Sequence, residues 1–334
     1  MTNAIETAAL RKVYPPPRRG GKRTSAARTA ESAVLHGNGI VALDALDLAI
    51  HDGEFFGMLG PNGAGKTTTI GILTTRVLPT AGTAVVAGAN VITDSVAVRQ
   101  RIGVVPQKPN PDRSLTVIEN LIFHASYFGI PKAEARQRAE QLLEQFSIAD
   151  KKDAKVDQLS GGQQQRLMIA RALSHDPAVI FLDEPTVGLD PQARLALWDI
   201  LRDLHKQGRT IVMTTHYMEE ADQLCERIAI LDHGKLLALD TPAHLKTQAP
   251  GETIVEVMFD ADATKLVNAA NAIDGISKAE ARGPLLRVYS SKAGEVIPAL
   301  ITAGEVAGLS LRDIHLSRPS LETLFISLTG RKLD

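Results

Sequence analysis

At 334 residues the chain is long enough for about two domains. Its 37 Lys and Arg nearly cancel 38 Asp and Glu, which excludes bulk electrostatic attraction to nucleic acid or to an anionic membrane. A single cysteine, Cys225, rules out an internal disulfide framework and fits a reducing compartment. It lies in a helix-like stretch and reads as a small apolar residue rather than a reactive thiol. No apolar run approaches the ~18–20 residues of a membrane span. Residues 1–10 lack the basic and apolar regions of a secretory signal. The chain is therefore expected to be soluble, or peripheral through a partner.

In chain order, the first unusual segment is 15–40, just after Tyr14. It carries a Pro15-Pro16-Pro17 run, several glycines and five basic residues (Arg18, Arg19, Lys22, Arg23, Arg28) against Glu31 alone. That composition predicts a flexible, solvated loop, with a membrane-surface or regulatory contact as the alternative.

Phe55-Phe56-Gly57-Met58-Leu59 reads as a short buried strand, and Gly60-Pro61-Asn62-Gly63-Ala64-Gly65-Lys66-Thr67 follows it. This fits the G-x-x-x-x-G-K-[ST] phosphate loop. Ile70, Leu73 and Val77 then recur at helical spacing. Strand, glycine loop and helix form the context in which that motif binds nucleotide. The glycines let backbone N–H groups face phosphates, Lys66 supplies a cation, Thr67 a magnesium ligand and Thr68 a second hydroxyl.

Residues 101–105 form a further apolar strand, with Gln107 placed to reach a metal or water. In 108–171 helical patterns dominate. Thr116 and Glu119 make a capping box. Ala135, Ala139, Leu142, Leu143 and Phe146 share one helix face, with Glu134, Arg136, Arg138, Glu140 and Glu144 off it. Leu159-Ser160-Gly161-Gly162-Gln163 alone reads as a turn entering a helix. Ser160 at the N-cap and two glycines also expose N–H groups suited to an anion.

Residues 178–182 are apolar and end in Asp183-Glu184-Pro185, the pattern of a central parallel strand whose C-terminal edge binds ligands. Asp183 is the expected magnesium-shell aspartate and Glu184 the general base. Asp190-Pro191 is an N-cap and N1 pair, with Leu197, Leu201 and Leu204 on one face and Gly208 as the stop. Residues 211–215 repeat the strand pattern and end at His216. A lone histidine there is commonly structural; the strand-tip position favours contact with the γ-phosphate or its water.

These motifs, in this order over about residues 5–245, resemble the nucleotide-binding domain of ATP-binding cassette (ABC) transporters. The resemblance implies an α/β P-loop NTPase fold with a helical subdomain at about 108–171, inside a domain of residues 1–248. It further implies that Gln107 is the Q-loop glutamine, Gly188-Leu189-Asp190 the D-loop, His216 the switch histidine and Tyr14 the adenine-stacking aromatic. By the same resemblance, Ser160, Gly161, Gly162 and Gln163 are the signature that caps ATP held by a second cassette. Dimerisation follows, as homodimer or heterodimer, with ATP and Mg²⁺ between the subunits.

Residues 251–334 alternate between strand-like (252–259, 285–289, 312–316) and helix-like (263–272, 296–303) stretches. The closing stripe of Leu321, Leu324, Phe325 and Leu328 indicates an amphipathic helix. This predicts a small C-terminal α+β domain, with the boundary near 246–251 marked by Pro250-Gly251. The ending 320–331 and the run 214–221 resemble the ABC-2-type export branch, which includes daunorubicin-type and nodulation-factor exporters. That resemblance implies an ATPase subunit of an exporter, working with a separately encoded membrane permease at the cytoplasmic face of the cell membrane. An importer ATPase and a soluble ABC ATPase are the alternatives. No nucleic-acid partner is expected, and the transported substrate is not readable.

Overall fold

The computed structural model describes residues 2–16, 35–36, 39–249, 251–317 and 319–331. Most of the basic Pro/Gly-rich segment within 15–40, and Pro250 of the boundary pair, lie outside the described residues. Contacts divide the chain into two units, one running to Pro242 and one from Ala243.

In the first unit the strands are β1 (Asn3–Tyr14), β2 (Leu35–His36), β3 (Gly39–His51), β4 (Phe55–Leu59), β5 (Ala81–Val86) and β6 (Ala89–Asn90). They are followed by β7 (Ile102–Val105), β8 (Val179–Asp183), β9 (Thr210–Thr215), β10 (Arg227–Asp232) and β11 (Lys235–Asp240). Two sheets result among the described residues, ordered β2-β3-β1-β5-β6 and β11-β10-β4-β9-β8-β7.

The second sheet is parallel from β10 through β7, with β11 antiparallel at one edge. Every residue of β4, β8 and β9 is buried, as a parallel sheet covered on both faces requires. Burying side chains such as Phe181 and Leu182 stabilises the fold by roughly 1.5–3 kcal/mol each. The first sheet is antiparallel and reads differently. On β3, Val41 and Leu43 are buried, then Leu46, Leu48 and Ile50. The alternation slips by one residue at Ala45, whose φ is +54°. One extra residue on β3 between the Lys12–Leu43 and Leu10–Leu46 pairs makes a bulge there.

The helices of this unit are α1 (Lys66–Leu73), α2 (Ser95–Arg101), α3 (Val117–Tyr127), α4 (Lys132–Gln145), α5 (Gly161–Leu173), α6 (Pro191–Lys206) and α7 (Met218–Leu224). Helices α3, α4 and α5 all fall between β7 and β8 in the chain. The Thr116–Glu119 capping box of α3 forms, and Ala135, Ala139, Leu143 and Phe146 are buried on the expected face of α4. Two sequence expectations need correction. Helix α1 ends at Leu73 and does not reach Val77: Thr75 adopts φ +61° and the Val77 N–H turns back to the Gly71 carbonyl. Cys225 follows α7 in extended conformation rather than within a helix, and burial pushes its thiol pKa well up.

The second unit holds β12 (Thr253–Phe259), α9 (Val267–Asn271), β13 (Ile276–Arg282), β14 (Leu285–Ser290), α10 (Ala293–Val306), β15 (Leu311–Ser317) and α11 (Leu321–Thr329), with α8 (Pro242–Gln248) at its start. Its sheet is antiparallel throughout, ordered β13-β14-β12-β15. With helices after β12 and β14, this is the β-α-β-β-α-β split arrangement. Strand β13 has no counterpart in the sequence reading: its only buried residue is Ala279, so its apolar alternation is too weak to register. Val255, Val257, Leu286 and Val288 pack against Leu266, Val296 and Leu300 in a core of their own. In α11, Leu321, Leu324 and Phe325 are buried as expected, while Leu328 remains 42% exposed.

Candidate functional site

Strands β4, β7, β8 and β9 run parallel, so their C-terminal ends share one edge of the sheet. That edge is where open α/β sheets bind ligands. The glycine loop leaves β4 there, with Gly63 at φ +86° and Gly65 at φ +106°, backbone that only glycine adopts without strain. At Gly60 the constraint is space: a Cβ would lie 2.3 Å from the Leu231 carbonyl oxygen. Pro61 and Ala64 are buried, Asn62 is exposed, and the Ala64 N–H donates to Pro61. Helix α1 begins at Lys66 with no side-chain cap, so its first N–H groups are free for an anion at the positive end of the helix.

Lys66 is 96% buried, and its ammonium donates to the Gly60 carbonyl at 2.6 Å and to the Pro61 carbonyl at 3.2 Å. It also stands 3.3 Å from Oε1 of Glu184. Glu184 follows the last residue of β8 in left-handed backbone at φ +49°, a conformation that costs a non-glycine residue about 1–3 kcal/mol and clusters at functional sites. Gln107 Nε2 donates to Glu184 Oε2 at 2.8 Å. His216 Nδ1 lies 3.5 Å from Glu184 Oε1, at the outer limit of hydrogen bonding. One carboxylate thus gathers three residues from three separate stretches of sequence.

Beside it, Asp183 Oδ1 accepts from Thr214 Oγ1 at 2.7 Å, and Thr67 Oγ1 stands 3.4 Å away. Thr214 carries a second bond, accepting from the Glu184 N–H at 2.9 Å. Sequence reasoning missed Thr214. It faces Asp183 because β8 and β9 are neighbours in register, a pairing no local motif announces.

The two adjacent carboxyls shift in opposite directions. Burial pushes Asp183 up, against the hydrogen bond from Thr214. Burial pushes Glu184 up too, but His216 and the Lys66 charge outweigh it and hold Glu184 down at about 2. Burial pushes Lys66 below the ordinary lysine range, against the pull of Glu184. Among the described residues no group of three or more His, Cys, Asp or Glu could cage a metal. Thr67 and Asp183 do offer adjacent hard oxygens, the donor set suited to Mg²⁺ completed by phosphates and water.

The remaining expected residues sit elsewhere in the first unit. Ser160 caps α5: its Oγ accepts from the Gln163 N–H, and Gln163 Oε1 accepts from the Ser160 N–H at 2.9 Å. Gly161 is exposed, with nothing within 4 Å of where a Cβ would be. Gly162 is close to Ala193 in the first turn of α6, which Asp190 caps by accepting from the Ala193 N–H at 2.9 Å. Thr68 lies half-buried in the first turn of α1. Tyr14 ends β1, with the Lys12 ammonium 4.9 Å from its ring centre.

A family model described as ABC transporter matches residues 43–187. The Nod factor export ATP-binding protein I of Ralstonia nicotianae is 42% identical over 296 residues, covering 87% of this chain and 90% of that protein. The daunorubicin resistance ATP-binding protein DrrA3 of Streptomyces coeruleorubidus is 39% identical over 289 residues, covering 86% and 91%. Among solved structures, a dimeric ATP-binding cassette in a post-hydrolysis state with ADP and Pi aligns with TM-score 0.60 and 29% identity. That alignment covers 71% of this chain and 98% of the other.

Proposed function

The chain belongs to the ABC transporter family of ATP-binding proteins, and from that membership we propose how its residues divide the work of an export ATPase. The observation that carries the reading is the convergence of Lys66, Gln107 and His216 on Glu184 at the C-terminal edge of the parallel sheet. The cassette is assigned to the first unit, with α3–α5 as its helical subdomain, and the second unit is an accessory domain.

Backbone N–H groups of the loop from Gly60 to Thr68 cradle the phosphates of ATP, and Lys66 opposes their charge. Thr67 and Asp183, with Gln107 near, would hold Mg²⁺, which when bound neutralises charge on the phosphoryl oxygens. Glu184 accepts the proton of the attacking water. Held at about 2, its carboxylate is always ionised near neutrality but is a weak base. When Lys66 turns to phosphate, Glu184 loses a neighbouring cation and its basicity rises. His216 sits beside Glu184, placed to meet the γ-phosphate side of the water. Tyr14 stacks on adenine.

Ser160, Gly161, Gly162 and Gln163 serve a second cassette, homologous or identical, whose ATP they cap; Asp190 crosses at the same interface. The exposure of Ser160 and Gly161 supports this. No described helix is long and apolar enough to cross a membrane. Both relatives are named as ATP-binding proteins, which supports a separate permease that supplies the transport path and holds this chain at the membrane. The name of the Ralstonia relative speaks for export over import.

Nucleotide titration and steady-state ATPase assays test this assignment. Glu184→Gln is expected to bind ATP, lose turnover by at least ~100-fold and accumulate as an ATP-dependent dimer. Lys66→Ala is expected to lose most ATP affinity. Wild-type turnover in Glu184→Gln, or wild-type affinity in Lys66→Ala, would refute the roles given to those residues.

A further inference from the structure

Two acidic residues open α7, Glu219 and Glu220, and they have opposite fates. Glu219 is exposed, whereas Glu220 is fully buried. A buried carboxyl is unfavourable unless its oxygens are satisfied, and both of these are. Thr215 Oγ1 donates to Glu220 Oε2 at 2.7 Å, and Trp198 Nε1 on α6 donates to Glu220 Oε1 at 3.4 Å. The same Thr215 hydroxyl accepts from the Tyr217 N–H at 2.9 Å. One hydroxyl therefore ties the residue before His216 to the residue after it, and Glu220 fixes that hydroxyl.

The ring side of the histidine is held as well. The Tyr217 ring lies 4.2 Å from the His216 ring. The Arg194 guanidinium stands 5.7 Å from both the Tyr217 and the Trp198 ring centres, within reach of a cation–π interaction. Arg194 and Trp198 belong to α6, whose N-cap is Asp190. These contacts bind the His216 turn to one helix face through a buried carboxyl at their centre.

We propose that Glu220 is a positioning residue for His216, acting through the Thr215 hydroxyl and seated against Trp198. The inference rests on the role of His216 given above. His216 contributes a contact of 3.5 Å to Glu184, and at that range a shift of about 1 Å in its turn costs on the order of 100-fold in rate. Without an acceptor at Glu220, the Thr215 hydroxyl re-pairs or stays unsatisfied, and the turn it clasps loosens.

The test uses the full chain with ATP and Mg²⁺, measuring kcat, KM, thermal unfolding and fluorescence. Trp198 is the only tryptophan, so its emission reports the Glu220 contact directly. His216→Ala, as a control, is expected to lose turnover. Thr215→Val removes the hydroxyl at nearly constant shape; it is expected to lower kcat by at least ~10-fold with KM changed less than about 2-fold. Thr215→Ser restores the hydroxyl and should return kcat to within about 3-fold of the parent. Glu220→Gln keeps the side-chain shape but offers one acceptor where two are used; it should fall between these and shift Trp198 emission.

Normal kcat in Thr215→Val alongside an inactive His216→Ala would overturn the positioning role and leave the His216 assignment standing. A loss shared equally by Thr215→Val and Thr215→Ser, in step with lowered unfolding temperature, would also overturn it. Full activity in His216→Ala would remove the reading beneath it.

Discussion

Glu184 concentrates most of the physics of this site in one side chain. It takes a left-handed backbone conformation, lies 93% buried, and still keeps its carboxyl ionised because Lys66, His216 and Gln107 face it. With its pKa lowered to about 2 from 4.5, its contribution to stability is present above pH 4.5 and is lost as the pH falls through about 2. His124 on α3 is depressed too, and in a range easier to reach. Burial, then Arg171 and His175, push it from 6.5 to about 4. Its neutral form contributes stability that is complete above pH 6.5 and lost as the pH falls through about 4. Thermal unfolding followed between pH 7 and 4.5 should therefore show a steeper loss in the parent than in His124→Phe. Parallel pH dependences in the two proteins would contradict that assignment.

At the scale of elements, the loop from β4 to α1 is specified by sterics more than by side-chain chemistry. Gly60 has no room for a Cβ beside Leu231, and Gly65 at φ +106° would press one against the Ala42 carbonyl oxygen at 2.8 Å. Gly60→Ala is expected to leave the sheet folded yet reduce ATP affinity by ~10-fold or more, because the loop must shift to relieve the clash; undiminished binding in a nucleotide titration would contradict this. The glycine loop, the caps at Thr116, Ser160 and Asp190, and the buried strands β4, β8 and β9 were all legible, because each is set by neighbours within a few residues. Thr214, the bulge at Ala45 and strand β13 were not. Each depends on what a distant strand presents to it, and β13, with Ala279 alone buried, carries almost no pattern of its own.

At the scale of the whole molecule, the second unit has a separate core built from β12, β14, α9 and α10. Leu286 is fully buried within it, so Leu286→Ala is expected to destabilise that unit by about 2–5 kcal/mol. ATP binding by the first unit should be unchanged, which combined unfolding and nucleotide-binding measurements would check; a matched fall in ATP affinity would show the units are not separable in this way. The sequence alone determined the nucleotide chemistry, the alternation of strand and helix in the first unit and the presence of an α+β appendage, since motifs and periodicity express local steric and hydrophobic demands. Only the tertiary structure decided that Lys66, Gln107 and His216 converge on Glu184, that Thr214 braces both carboxyls, and that Glu220 is buried while Glu219 is not. Those facts depend on which strands and helices lie side by side, and neighbours distant in sequence are chosen by packing of the whole core.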